Sequence, residues 1–117
     1  MGRLIPFHSL FSPHGVLCCV ECGNEVAYTR HILSENFTGS SGPALLVDHC
    51  VNVSYGDVQQ RMMITGKHDI VDVICDQCDL ILGWRYLATV QPDQQYKINK
   101  FVLECEFVVD SREEDDD

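Results

Sequence analysis

Two Cys-x2-Cys pairs, Cys19-Val20-Glu21-Cys22 and Cys75-Asp76-Gln77-Cys78, stand 52 residues apart in a chain of 117. A two-residue gap lets both thiolates of a pair face one ion while the intervening backbone N–H groups aim at the sulfurs. The residue after each second cysteine must tolerate a left-handed backbone, which Gly23 does freely and Asp79 better than most residues. Four soft thiolates with no position left for water favour a closed tetrahedral zinc site, one ion per chain, held by Cys19, Cys22, Cys75 and Cys78. The alternative is that one or both pairs are buried thiols or a redox pair. Cys18 adjoins the first pair and offers a Cys-x3-Cys spacing. Cys19 is preferred because it repeats the spacing of the second pair. Cys50 and Cys105 lie in strand-like stretches and read as buried structural thiols.

Seven cysteines, an odd number with two adjacent, fit a disulfide framework poorly. Residues 1–11 carry no apolar segment of signal-peptide length, and Pro6 stands where N-myristoylation needs Ser or Thr. A reducing setting in the nucleus and cytoplasm is therefore expected, where paired cysteines bind metal and the sequons at Asn36 and Asn52 stay silent. The length suits one domain, and no stretch approaches a membrane span. The net charge of −10 argues against direct nucleic-acid binding and against an acidic membrane surface. Half of that charge falls in residues 110–117, where six acids face Arg112 alone. The expected division is an irregular lead-in over 1–14, a domain over 15–109 and an acidic disordered tail over 110–117.

Gly, Pro and Asx clusters cut the chain into short pieces. Residues 16–19, 44–53, 80–90 and 97–109 read as strands, and 58–65 with 69–75 as a hairpin turning at Gly66-Lys67. Residues 34–43 read as a long loop, and 21–33 stays ambiguous between helix and strand. Short strands at close spacing indicate a mainly β fold.

The order Cys19-x2-Cys22, Phe37-x-Gly39-x2-Gly42, Val51-Asn52-Val53, Arg61-x-Met63-x-Thr65-Gly66-x-His68, Asp72, Cys75-x2-Cys78, Leu82-Gly83-Trp84-x-Tyr86 and Gln95-Tyr96-Lys97 resembles the yippee-like proteins over about residues 15–104. The resemblance implies a β-tent, two antiparallel sheets pinned by one zinc that joins two zinc-ribbon-like knuckles. It also implies a non-enzymatic interaction module, an adaptor tied to cell division or to subunits of a multi-subunit ubiquitin ligase. Three departures are Pro43 after Gly42, the doubled ligand at Cys18, and Ile98-Asn99 after Tyr96-Lys97. None removes a ligand.

Trp84 and Tyr86 alternate along one presumed strand and so face the same side. Related β-tent domains hold ligands in an aromatic cage on the sheet, and Trp84, Tyr86, Phe37 and Tyr55 are candidates to line a similar hollow for a protein segment or small molecule. Ring faces suit cations and flat cyclic amides. The competing reading makes Trp84 a core anchor. His68 is either a polar contact in the hollow or a satisfied structural histidine, and Asn52 and Arg61 either contact a ligand or tie down backbone. The alternative function is a methionine-R-sulfoxide reductase with Cys105 as nucleophile. That reading is opposed by Glu104 and Glu106, whose charges disfavour a thiolate between them.

Overall fold

In the computed structural model residues 14–111 are described; residues 1–13 of the expected lead-in and 112–117 of the expected tail lie outside them. Among the described residues ten strands form two antiparallel sheets. The small sheet contains β1 (Val16–Cys19), β2 (Glu25–Tyr28) and β10 (Val108–Asp110), in the order β10-β1-β2. The large sheet contains β3 (Ile32–Thr38), β4 (Pro43–Val47), β5 (Val53–Tyr55), β6 (Gln59–Met63), β7 (Gly66–Cys75), β8 (Ile81–Thr89) and β9 (Phe101–Glu104). Its order is β3-β4-β9-β8-β7-β5, with β6 also pairing to β7. Among the described residues no helix is long and apolar enough to cross a membrane.

Side-chain alternation gives the large sheet two apolar faces. Leu45 and Val47 of β4, Phe101 and Leu103 of β9, and Val73 of β7 meet Leu17, Val26 and Val108 of the small sheet in one core. Ala44, Leu46, Ile70, Trp84, Tyr86 and Val102 form a second cluster on the opposite face, flanked by Phe37 and Met63. In β8 the register shifts between the Val73–Gly83 and Ile74–Ile81 pairs, leaving Leu82 as a bulged residue. Leu82 thereby joins the inter-sheet core while Trp84 and Tyr86 face outward. Gly83 is required where β8 meets β9, because a Cβ there would enter the space of the Val102 carbonyl.

Five sequence expectations need correction. Residues 34–43 are not one loop: β3 continues to Thr38 as an edge strand on β4, and only the Gly39–Gly42 turn, closed by Gly39 N–H to Gly42 O at 2.7 Å, is irregular. Residues 44–53 are not one strand, because β4 and β5 lie far apart in the sheet order and the chain must cross between them. The hairpin turns at Ile64-Thr65, with Met63 opposite Gly66; Gly66, at φ +114°, supplies the left-handed backbone that returns the chain. Residues 97–109 are not one strand: the 3-10 turn Pro92–Lys97 ends at their start, and β9, a second 3-10 turn at Cys105–Phe107 and β10 follow, with β9 and β10 in different sheets. Asp110, grouped with the acidic tail by composition, is buried as the last residue of β10.

Candidate metal centre and the hollow on the outer face

The two knuckles are built alike. In the first, Cys19 N–H donates to Asn24 O at 2.8 Å and Gly23 N–H to Cys19 O at 2.9 Å; in the second, Cys75 N–H donates to Leu80 O and Asp79 N–H to Cys75 O, both at 2.9 Å. Gly23 at φ +82° and Asp79 at φ +68° take the left-handed backbone that the spacing requires. The first knuckle follows β1 of the small sheet, and the second joins β7 to β8 of the large one. Their meeting point therefore ties the sheets together.

All four sulfurs lie within 4.8 Å of one another, with Cys19 Sγ to Cys78 Sγ and Cys22 Sγ to Cys75 Sγ both 3.6 Å. A tetrahedron with metal–sulfur bonds of about 2.3 Å has edges of about 3.8 Å, so this donor set fits one such ion. The surroundings favour negative charge at Cys75 and oppose it at Cys22 and Cys78. Burial opposes a Cys75 thiolate, but the Gln77 N–H at 3.4 Å, the Asn24 side-chain amide at 3.3 Å and the Cys78 N–H outweigh it and bring its pKa down to about 6. The Leu80 N–H favours a Cys78 thiolate, yet burial and the three neighbouring thiols push its pKa up to about 12. Four thiolates this close cannot all ionise without a cation between them, and a divalent soft ion removes that conflict.

Asn52 belongs to this end of the molecule. Held at φ +58°, it donates from Nδ2 to Glu25 O at 2.8 Å, and its carbonyl accepts from Asn24 Nδ2 at 3.0 Å. It thus laces the segment before β5 to the first knuckle. Tyr55 also stands away from the outer hollow, half-exposed on β5 beneath the Arg85 guanidinium at 5.6 Å. Of the other thiols, Cys18 is buried on β1 next to Cys19, where strand alternation turns it from the cluster. Burial pushes Cys50 up to about 12 against the pull of Arg85, and burial followed by Glu35 and Glu104 raises Cys105.

The outer cluster opens into a hollow of about 550 Å³. Trp84 and Tyr86 form its floor, edge to face at 6.2 Å, with Phe37, Arg61, Met63 and Lys97 around them. His68 sits behind this floor, only 1 % exposed, its Nε2 2.8 Å from Thr65 Oγ1 and its ring edge-on to Tyr86 at 5.3 Å. Burial, with the Lys97 charge adding, lowers its pKa below the ordinary 6.5. On the rim, the Glu104 carboxylate accepts from Ser41 N–H at 2.7 Å and from the Ser41 hydroxyl at 2.6 Å, fixing the Gly39–Gly42 turn. The site residue that sequence reasoning missed is Lys97. It is 5 % exposed, and its ammonium lies over Phe37, Tyr86 and Tyr96 at 5.2, 5.3 and 5.8 Å. Its only sequence signal is the Tyr96-Lys97 pair within the family pattern.

Comparison with known proteins agrees with this architecture. A family profile described as Yippee zinc-binding/DNA-binding/Mis18, centromere assembly, matches residues 15–112. A yippee-like protein of Oryza sativa subsp. japonica is 43 % identical over 112 residues, covering 89 % of this chain and 92 % of its own. Protein yippee-like 4 of Homo sapiens is 35 % identical over 96 residues, covering 82 % and 76 %. Among solved structures, the crystal structure of the Mis18 'Yippee-like' domain superposes with a TM-score of 0.65 at 14 % identity, over 82 % of this chain and 93 % of that one, a likeness of fold. Two sheets, two matching knuckles and a profile spanning nearly the whole described chain lead to one conclusion: this protein is a member of the yippee-like family.

Proposed function

We propose that the protein is a zinc-pinned interaction module that does no chemistry of its own and presents the outer hollow to a partner. The observation that carries this reading is the closed sulfur cluster. Cys19, Cys22, Cys75 and Cys78 would hold a zinc ion with no position left for substrate, and the ion's contribution is to cross-link the sheets. The reductase alternative loses support because Cys105, its required nucleophile, packs against the inter-sheet core with its pKa raised.

The family profile's link to centromere assembly supports a role in cell division, and the yippee resemblance adds a ubiquitin-ligase assembly as the setting, in the nucleus and cytoplasm. The same profile's description includes DNA binding. Here a protein partner is the better reading, since the net charge is −10 and the knuckles carry exposed Glu21, Asp76 and Asp79. Two measurements test the proposal. Native mass spectrometry should find one zinc per chain, and affinity capture should retain a defined partner that is lost with Trp84→Ala while zinc content stays at one. A chain that carries no zinc, or that shifts duplex DNA at physiological salt while retaining no protein, refutes it.

A further inference from the structure

The hollow is a positively charged enclave in an acidic protein. Among the described residues its lining includes no Asp or Glu, yet it holds both Arg61 and Lys97. Among the described residues neither is paired with a carboxylate, whereas Lys100 is, to Asp48 at 3.3 Å. Arg61 spends one hydrogen bond on Gln59 Oε1 at 2.9 Å, and its guanidinium lies 6.0 Å from the centre of the Trp84 ring. Lys97 is buried among three rings, with Asp93 as the acid acting on it from the same 3-10 turn. Trp84 is 6 % exposed, and its indole N–H, beside the Tyr86 hydroxyl, makes no hydrogen bond of good geometry. Buried polar groups in folded proteins normally find partners. At this opening the buried indole N–H of Trp84 lacks one, beside two cations that have no carboxylate paired to them among the described residues.

The ring faces that a cationic ligand would use already carry the protein's own cations. An incoming ammonium would meet Lys97 and Arg61 at close range, while a carboxylate or phosphate would satisfy both of them and could accept from the indole N–H. We infer that the hollow takes an anionic group, a carboxylate or phosphate carried on an apolar or aromatic body, gripped by Arg61 and Lys97 over the Trp84–Tyr86 floor. This rests on the proposed role of the hollow as the recognition surface and specifies its chemistry.

Trp84 is the single tryptophan of the chain, so its fluorescence reports occupancy of the hollow directly. The full-length, metal-loaded protein is titrated with four probes that share one ring: phenylacetate, phenyl phosphate, phenylacetamide and phenethylammonium. At least one anion should bind saturably, the amide at least about tenfold more weakly and the ammonium more weakly still. Which anion binds tighter separates a carboxylate site from a phosphate site. Arg61→Gln should weaken the anion about tenfold while leaving the amide unchanged, and Lys97→Met should do the same if it folds. Arg61 is half-exposed and its removal spares the core, so that variant decides the matter if Lys97→Met does not fold. Amide or ammonium binding equal to the anion's, or an anion affinity indifferent to Arg61→Gln, overturns the charge assignment and leaves the hollow as a recognition site. No saturable response to any probe up to about 10 mM overturns both.

Discussion

Stripping the metal should release the small sheet before it dissolves the large one. The small sheet consists of two strands of four residues and one of three. Ordering them costs about 16 kcal/mol at about 1.5 kcal/mol per residue. Leu17, Val26 and Val108 are the larger aliphatic side chains it buries against the large sheet. At about 1.5–3 kcal/mol each they return about 5–9 kcal/mol. The roughly 10–16 kcal/mol that a structural zinc supplies at neutral pH covers the shortfall of about 7–11 kcal/mol. Chelation, or Cys78→Ser, should therefore abolish hydrogen-exchange protection in β1, β2 and β10, read by mass spectrometry of peptic fragments. Cys105→Ser, which removes a half-buried thiol outside the cluster, should retain both the ion and the protection. Metal-free protein whose β1 and β2 amides remain as protected as those of β8 would show that apolar packing alone holds the sheets together, and the reasoning would fail.

Other consequences are as open to measurement. Gly83→Ala forces a methyl into the Val102 carbonyl and should separate β8 from β9, costing about 3 kcal/mol and lowering Tm by upwards of ~10 °C in a thermal melt. A melt within two or three degrees of wild type would contradict this. Because the folded His68 ring has a lowered pKa, unfolding takes up a proton below about pH 6.5. Its contribution is complete above that pH and is lost as pH falls toward the folded pKa, by at most about 1.4 kcal/mol per pH unit. Denaturant midpoints between pH 7 and pH 5 in the metal-loaded protein should show this slope, and His68→Gln should flatten it; an unchanged slope would place its origin elsewhere. Glu104→Ala orphans the Ser41 N–H and should cost about 1–3 kcal/mol, with faster exchange confined to the Gly39–Gly42 turn. Exchange there at the wild-type rate would remove the carboxylate from its assigned role.

The metal end was legible in the sequence because its chemistry is local. A Cys-x2-Cys pair needs particular residue types at adjacent positions, and the positive φ at Gly23 and Asp79 follows from the same tight turn. The shared face of Trp84 and Tyr86 was legible too, since alternation along a strand depends only on neighbours. What escaped depends on long-range pairing. Nothing in residues 97–109 says that the chain leaves one sheet at Cys105 and enters another at Val108. Asn52 has the same β-rich context as its neighbours, yet it serves the first knuckle through Glu25 and Asn24, more than twenty residues away. Tyr55 was grouped with the other aromatics by residue type, but the pairing of β5 with the far end of β7 puts it beside Arg85. Lys97 was missed for a related reason. Its position is set by a 3-10 turn packed on β8, and a lone lysine in a polar stretch gives no hint of burial.

The bulge at Leu82 has a consequence for how this protein can change. It lets a single layer of backbone serve as a partition, with sulfur and aliphatic groups on one side and rings with cations on the other. In β4 and β9, odd positions answer to the inner compartment and even positions to the outer. Substitutions at the even ones can therefore reshape the outer hollow while the odd ones keep the sheets packed together. A family built on this wall is free to vary its outer face without renegotiating how it folds.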